Sequence, residues 1–279
     1  MKALAFLTIL IFAGPTFGQQ LPKETLERWS LPQEPFEIVD GLYWVGTAEL
    51  ASYLIKTSDG LILIDGGLPE NAPTIMANIK SLQLDIKDIK VILSSHAHVD
   101  HAGGLAELKK VSRARLVVGA ADAPLLRSGG KESGTGSKSY PFPKVDPDHM
   151  VKDGEPVTLG NVTLTALATP GHTPGCTSWA MTGTSGGKPA KVVFFCSLNT
   201  PGYDLTTLQG LKAESEFSAT IAKVESLQCD VALAFHASAM DMDSKLKRRK
   251  EGLNPFVDPG ACRDFVAPYV ADFRRELMQ

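Results

Sequence analysis

The sequence predicts a single α/β domain, and three observations support this prediction. Short runs of β-branched, aromatic and aliphatic residues occupy much of 36–64, while apolar residues recur at helical spacing over 70–83. The same order, strands followed by helices, returns between 157 and 277, although no repeated motif proves a duplication. The 279 residues are 43% hydrophobic and 21% charged, with no break in composition, which suits one globular domain with a large core.

Strands are predicted wherever such a run is short and bounded by turn residues. They fall at 36–39, 42–45, 51–55, 61–64, 91–93, 157–159, 162–167, 176–182, 191–196 and 231–234. Helical spacing predicts helices at 70–83, 103–111, 121–127, 215–227 and 261–277. Residues 128–149 are rich in Gly, Ser, Lys and Pro, and an irregular loop this long in a compact domain is usually functional or disordered.

The N-terminus has the pattern of a secretory signal peptide. Lys2 supplies a positive charge, 3–13 is an unbroken apolar run, and a Gly-Pro pair then precedes a small-residue exit near Gly18. The run is too short to cross a bilayer, which needs about 20 residues. We therefore expect 1–18 to be a signal peptide and 19–279 to be an exported, periplasmic domain that is free of the membrane. A buried N-terminal helix is the alternative.

Charge and cysteine content narrow the possible partners and sites. The net charge of −3 argues against nucleic acid, and the basic run 245–250 lies in a helix-like stretch whose solvated face it is predicted to form. In an oxidising compartment the four cysteines can pair in three ways, and sequence alone does not choose among them. None of them forms a CxxC pair, so a structural zinc knot is not indicated.

The strongest local signal is the hexapeptide His96-Ala97-His98-Val99-Asp100-His101, directly after the apolar run 91–93. Imidazole nitrogen and carboxylate oxygen are zinc ligands. His96 and His98 alternate on an extended segment, so both rings can face one side, whereas Asp100 and His101 lie where the chain turns and can aim at a second position. Three of only six histidines fall here, which makes a chance surface cluster a poor explanation.

Two further histidines complete the pattern. His172 lies in the turn Gly171-His172-Thr173-Pro174-Gly175 after an apolar run, and His236 follows the strand predicted at 231–234. Alone, each could be a hydrogen-bonded core histidine, but with the hexapeptide they make two sets of three ligands. Three protein ligands plus water is the composition of a catalytic zinc site. His149, in the long loop, is predicted to be unrelated.

The chain resembles the metallo-β-lactamase superfamily in four features: HxHxDH at 96–101, GHTPG at 171–175, the later His236 and the turn Asp65-Gly66-Gly67. The resemblance covers nearly all of 19–279. It implies one catalytic domain with the metallo-β-lactamase fold, a four-layer αββα sandwich that carries two zinc ions at one edge of its paired sheets. By the same resemblance the first zinc is held by His96, His98 and His172, and the second by Asp100, His101 and His236.

The turn aspartate and the stretch after 191–196 refine this resemblance. Asp65 is expected to bond a ligand or to fix its loop, although a simple turn aspartate is the alternative. Thioester and phosphoester hydrolases of the superfamily usually have a metal-bridging aspartate at the equivalent of this strand end, but 194–203 contains no carboxylate. In subclass B3 a serine stands there, and Ser197 followed by Pro201-Gly202-Tyr203 is similar. A shift of one residue would instead make Cys196 a thiolate ligand.

The cysteines divide into two pairs under this resemblance. Cys229 and Cys262 match a disulfide often found in subclass B3, which implies that they are bonded. Cys176 and Cys196 are expected on neighbouring strands, with no bond predicted between them.

The resemblance also implies the activity. The substrate is a small molecule, a β-lactam antibiotic, whose lactam amide bond is hydrolysed by a metal-bound hydroxide, giving antibiotic resistance. Asp100 helps to orient this nucleophile, and Ser197 and Asn199 donate hydrogen bonds to the substrate carboxylate, unless they only cap the strand end. The alternatives are another exported di-zinc hydrolase, acting on a lactone or thioester, and a zinc-binding protein without catalysis. The missing aspartate and the export signal count against the first, and the open coordination positions against the second.

Overall fold

The computed structural model describes residues 21–131, 140–200 and 206–276. The expected signal peptide, part of the long loop and Pro201-Gly202-Tyr203 lie outside the described residues. In the described part of the chain, no helix combines the length and the apolar character needed to cross a membrane.

The order of elements agrees with the α/β prediction. The helices are α1 (Lys23–Trp29), α2 (Ala72–Ser81), α3 (Val99–Ala102), α4 (Leu105–Ser112), α5 (Ala123–Ser128), α6 (Leu208–Glu225), α7 (Met242–Lys250) and α8 (Ala261–Glu276). The strands are β1 (Phe36–Val39), β2 (Leu42–Trp44), β3 (Tyr53–Thr57), β4 (Gly60–Ile64), β5 (Ile89–Leu93), β6 (Arg115–Gly119), β7 (His149–Val151), β8 (Pro156–Leu159), β9 (Val162–Ala168), β10 (Thr177–Ser185), β11 (Lys188–Phe194) and β12 (Val231–Leu233).

Four elements were absent from the sequence prediction, namely α1, α3, β6 and β7, of which α3 lies where only a turn was predicted. Helix α1 has no buried residue, so its sequence carries little apolar periodicity. Strand β7 has three residues and lies at the edge of its sheet, too short for an alternating pattern to be visible. Helix α6 also begins at Leu208 rather than at 215, because Thr207 caps it by accepting a hydrogen bond from the Gly210 amide.

Two sheets make up the centre of the domain. Strands β1 to β7 form one sheet in sequence order, antiparallel as far as β4 and parallel from β4 to β7. The other sheet has the order β12-β11-β10-β9-β8, with only β11 and β12 parallel. The sheets share an apolar core that includes Trp44, Tyr53, Trp179 and Phe194, all fully buried.

Helices cover the outer face of each sheet. One outer core joins the first sheet to α2, α4 and α5 and includes Ile75 and Leu108. The other joins the second sheet to α6 and α8 and includes Phe217 and Val266. The four-layer αββα sandwich, and with it the metallo-β-lactamase fold, is therefore confirmed. Its central strands are covered on both faces, which explains why 61–64 is apolar without alternation.

The topology brings several strand ends to one edge. Strands β9 and β11 both run antiparallel to β10, and β12 is parallel to β11, so β9, β11 and β12 end in the same direction. Each is followed by a segment singled out in the sequence, and β5 of the other sheet is followed by the hexapeptide. These segments meet at this edge of the domain.

Both cysteine pairs are bonded in the structure. Cys229–Cys262, implied by the resemblance, is a disulfide in the outer core of the second sheet, between the start of β12 and α8. Cys176–Cys196 is also a disulfide and joins the segments that flank β10 and β11. The sequence left this second bond open.

The basic run 245–250 lies on α7, as predicted, and much of it faces solvent. Two of its members pack instead on aromatic rings, Lys245 over Phe256 at 5.4 Å and Arg249 over Phe36 at 5.7 Å from the ring centroids. These side chains hold the helix against the sandwich.

Candidate metal centre

The six expected ligands meet at this edge in two adjoining groups. We call His96, His98 and His172 the first ligand group, and Asp100, His101 and His236 the second ligand group. Within each group, one nitrogen or oxygen atom of every member lies within 4.8 Å of those of the others. The groups touch, because the ring centroids of His96 and His101 are 4.1 Å apart. His149, expected to be unrelated, lies on β7 instead, where its Nε2 is 2.5 Å from Glu155 Oε1.

The hexapeptide serves both groups because its backbone changes conformation at His98. This residue is extended (φ −100°, ψ 158°), and the single-turn helix α3 begins immediately after it. His96 and His98 therefore project from an extended segment into the first group, whereas Asp100 and His101 project from a helical turn into the second. The short helix is the turn that the sequence predicted between the two sets of ligands.

In the first group, hydrogen bonds direct the ring protons of His96 and His172 away from the shared centre. Ser95 Oγ donates to Asp65 Oδ2 at 2.5 Å, so at 3.0 Å it accepts from His96 Nδ1. His96 Nε2 then carries a lone pair, and it is buried without a hydrogen-bond partner among the described residues. His172 Nδ1 donates to the Asn199 carbonyl at 2.9 Å, which leaves its Nε2 free to face His98 Nδ1 at 3.1 Å.

In the second group, each histidine donates its Nδ1 proton to a carboxylate that lies outside the group. His101 Nδ1 donates to Asp65 Oδ2 and His236 Nδ1 donates to Glu49 Oε1, both at 3.2 Å. The Nε2 atoms of both rings lie 3.2 Å from Asp100 Oδ2. A second carboxylate behind a histidine fixes the ring's orientation and raises its basicity as a metal ligand.

Asp65 therefore bonds a ligand, as expected, and it does more than close a turn. It is fully buried, has φ of +61°, and also accepts from the Ser95 amide at 2.7 Å. A non-glycine residue in this conformation is uncommon and is kept only where surrounding contacts favour it. Its carboxylate thus links the segment before the hexapeptide to His101.

The two groups have opposite electrostatics. Burial lowers the pKa of His96 well below its ordinary value, that of His98 to about 4 and that of His172 to about 3. Burial also opposes the charged form of His101, but Asp100 and Asp65 outweigh it and raise the pKa to about 10. The histidines of the first group are thus neutral, whereas those of the second face the carboxylates of Asp100, Asp65 and Glu49.

The groups lie in a cleft of about 320 Å³. It is lined by His98, Val99, Asp100, His101, His172, His236, Ser197, Asn199, Leu21, Trp29 and Tyr140. Ser197 and Asn199 therefore line the same cleft as the expected ligands, and their hydrogen bonds to a substrate carboxylate stay a prediction. The Trp29 ring stands edge-on to His236, with centroids 5.5 Å apart, and Tyr140 comes from the described end of the long loop.

Cys196 and Ser197 lie on different sides of the cleft wall. Cys196 Sγ is bonded to Cys176 and lies behind His96, 3.7 Å from its Nδ1, on the side away from the cleft. A sulfur in a disulfide is not a thiolate and does not coordinate zinc as one. Ser197, the next residue, lines the cleft.

Sequence reasoning missed Glu49 and Leu21. Glu49 lies on the loop before β3 and is joined to His236 only by the fold, and nothing in its neighbourhood distinguishes it from a surface acid. Leu21 belongs to the segment that leads into α1, which has no apolar pattern of its own.

The donor set fits a transition metal such as zinc. Five imidazole rings and one carboxylate converge from buried or partly buried positions, and the partnerless His96 Nε2 is a buried polar atom that a cation would satisfy. Three ligands per group leave coordination positions open on the cleft side.

Known proteins are similar to this chain in sequence and fold. Residues 50–185 match the family model of the metallo-β-lactamase superfamily. BJP-1, a subclass B3 metallo-β-lactamase of Bradyrhizobium japonicum, is 41% identical, with a TM-score of 0.84 over 91% of this chain and 97% of that one. The native FEZ-1 metallo-β-lactamase of Legionella gormanii is 40% identical, with a TM-score of 0.84 over 89% and 97% of the two chains.

One curated relative has the name of a different hydrolase. A probable hydroxyacylglutathione hydrolase of Schizosaccharomyces pombe is 28% identical over 141 residues, which are 50% of this chain and 46% of the relative. The chain spans about half or less of the length of such curated relatives, whereas it covers the lactamase structures almost completely. The chain belongs to the metallo-β-lactamase superfamily of metal-dependent hydrolases, and it resembles subclass B3 along most of its length.

Proposed function

We propose that the chain is a di-zinc β-lactamase that hydrolyses the lactam amide bond of β-lactam antibiotics and so gives resistance to them. One observation carries the proposal: two adjoining ligand groups share a cleft in which Ser197, and no carboxylate, occupies the end of β11. The similarity to subclass B3 structures over nearly their full length supports the same substrate class.

The first ligand group would hold one zinc ion through His96 Nε2, His98 Nδ1 and His172 Nε2. The second would hold another through Asp100 Oδ2, His101 Nε2 and His236 Nε2. When bound, the two ions would supply Lewis acidity and a water molecule whose pKa is lowered from ~15.7 to ~7.

The chain's own groups orient the reactants. Asp100 contacts both histidines of its group at 3.2 Å, so its carboxylate is fixed where it can orient a water molecule in the cleft. Ser197 and Asn199 offer a hydroxyl and an amide to the substrate carboxylate. The rings of Trp29 and Tyr140 and the Leu21 side chain wall the cleft and restrict water around the bound substrate.

Export to the periplasm belongs to the same proposal. Two disulfides in one chain are typical of an oxidising compartment and rare in the cytosol. Together with the charged and apolar pattern of 1–18, they support a mature protein that starts near residue 19.

A thioester hydrolase is the second candidate, because hydroxyacylglutathione hydrolases are among the curated relatives. The absence of any carboxylate in the sequence from 194 to 203 counts against it, since a bridging aspartate is expected there in such enzymes.

Hydrolysis assays decide between the candidates. The purified mature protein, with zinc added, would be given a penicillin, a cephalosporin, a carbapenem, a thioester and a lactone. We expect turnover of at least one β-lactam, its loss with a chelator, and a raised inhibitory concentration in a susceptible strain that expresses the protein. Turnover of the thioester or lactone alone would refute the proposal.

A further inference from the structure

A second buried aspartate, Asp122, lies directly behind the first ligand group and has no place in the sequence motifs. It ends the connection between β6 and α5, and only 1% of its surface is exposed. Its Oδ2 accepts from the Ala97 amide and from Thr173 Oγ1, both at 2.8 Å. Its Oδ1 accepts from the Gly175 amide at 2.6 Å.

These three hydrogen bonds reach both segments that carry the first group. Ala97 lies between His96 and His98, while Thr173 directly follows His172. One carboxylate therefore joins two loops that come from different sheets. The join needs close approach, because a Cβ at Gly175 would collide with the Asp122 backbone nitrogen.

Burial of this carboxylate is unfavourable on its own. Its three hydrogen bonds described above all come from neutral donors, and burial raises its pKa to about 6. A buried acid without a cationic partner costs stability, so it needs some compensating role in the molecule. Asp65 makes the equivalent link for the second group, although there the acceptor also faces His101.

We propose that Asp122 is a positioning residue that holds the two loops of the first ligand group at zinc-binding separation before the ion arrives. The inference rests on the proposed zinc site but not on the substrate. Loss of the carboxylate lets the His172 loop move relative to the hexapeptide, so that three nitrogens no longer converge.

Zinc affinity, rather than activity, tests this role. Dissociation constants for both ions would be measured on the full mature chain by competition with a chromophoric chelator, and Co²⁺ absorption spectra would report the ligand geometry. For Asp122→Asn we expect the affinity of one ion to fall ~10–100-fold, the usual cost of losing a hydrogen-bonded partner behind a metal ligand.

Thr173 gives a milder matched pair should Asp122→Asn fold poorly. Thr173→Val keeps the shape but removes the hydroxyl, and we expect several-fold weaker binding of the same ion. Thr173→Ser restores the hydroxyl and should recover most of the affinity. A role in stability alone would leave zinc binding unchanged in the folded fraction of either variant.

The control is Asp148→Asn, since Asp148 Oδ2 accepts from the Leu116 amide at 2.7 Å but contacts neither ligand loop. We expect it to bind both ions as the unmodified chain does. Unaltered zinc affinities and Co²⁺ spectra in both Asp122→Asn and Thr173→Val would overturn the proposal. Two tightly bound ions in a chain that hydrolyses no β-lactam would instead refute the proposed function and leave this inference standing.

Discussion

The two ligand groups differ in how they are kept ready for a cation. The first consists of three imidazoles, in which burial lowers the pKa of His98 to about 4 and that of His172 to about 3. The second contains Asp100 and is backed by Asp65 and Glu49. Burial opposes the charged form of His101, but Asp100 and Asp65 raise its pKa to about 10, while Glu49 accepts a hydrogen bond from His236. Burial, helped by repulsion between neighbouring histidines, keeps the first group neutral, whereas the second is held together by opposite charges.

This difference teaches that one fold supports two ways of building a site. The first group depends on geometry, because its nitrogens repel a proton and are held apart from carboxylates. The second depends on charge, because its members attract one another in the polypeptide alone. Changes to charge should therefore affect the second group most, and changes to loop position the first.

The largest effect is expected from Asp100→Ala. It removes the only carboxylate of the second group and leaves the buried His101 and the partly buried His236 without their shared acceptor. We expect the zinc content to fall from about two ions to about one, and kcat/KM to fall roughly 1000-fold or more, beyond the ~100-fold cost of losing a hydrogen-bonded partner. Metal analysis and steady-state kinetics check this, and a variant that kept two ions would show that the second group does not depend on its charge.

The next change tests whether a thiolate completes either group. Cys176→Ala and Cys196→Ala both break a disulfide whose cysteines are 20 residues apart, so each should lower the free energy of unfolding by roughly 3 kcal/mol. We expect both variants to keep two zinc ions. Denaturant unfolding and metal analysis on the pair decide the matter, since zinc loss in Cys196→Ala alone would make Cys196 a ligand.

A pH series tests the raised pKa of the buried Asp122. The pKa of Asp122 is raised to about 6, above the ~3.9 of an unfolded aspartate, so the folded chain holds its proton more tightly. This contribution is present in full below about pH 4 and lost as pH rises through about 6, a fall of roughly 3 kcal/mol. Relative to Asp122→Asn, the metal-free chain should lose stability over this interval, and parallel pH profiles would contradict the assignment.

A smaller effect is expected from Glu49→Gln, which keeps the shape but removes the charge behind His236. Affinity for one zinc ion should fall ~10–100-fold, with the first group unaffected. Ser238→Ala is the matched control, because it removes the other hydrogen bond of Glu49, at 2.6 Å, and leaves the carboxylate in place. Equal losses in the two variants would mean that the charge of Glu49 has no special role.

The smallest effect is expected from Ser197→Ala, which alters the cleft and neither group. Loss of one hydrogen bond to the substrate costs ~0.5–1.5 kcal/mol, or ~1.5–3 if the acceptor is a carboxylate. We expect KM to rise with little change in kcat and none in zinc content. A fall in kcat at constant KM would move Ser197 from substrate binding into the chemical step.

The sequence alone predicted the fold class and, through the resemblance, the six side chains of the two ligand groups. It could do so because these features are local: strands and helices follow from apolar periodicity, and His96, His98, Asp100 and His101 are neighbours in the chain. Even the assignment of Ser197 rested on a short run of adjacent residues.

Only the tertiary structure decided what stands behind the ligands. Glu49 meets His236 across 187 residues, and Asp122 meets Thr173 across 51, so no local pattern marks either acid. The pairing of Cys176 with Cys196 was likewise open until two segments of the second sheet came together. The spacing of residues in the sequence predicts which side chains bind metal. The buried hydrogen bonds that fix the ring protons form only once distant segments have packed.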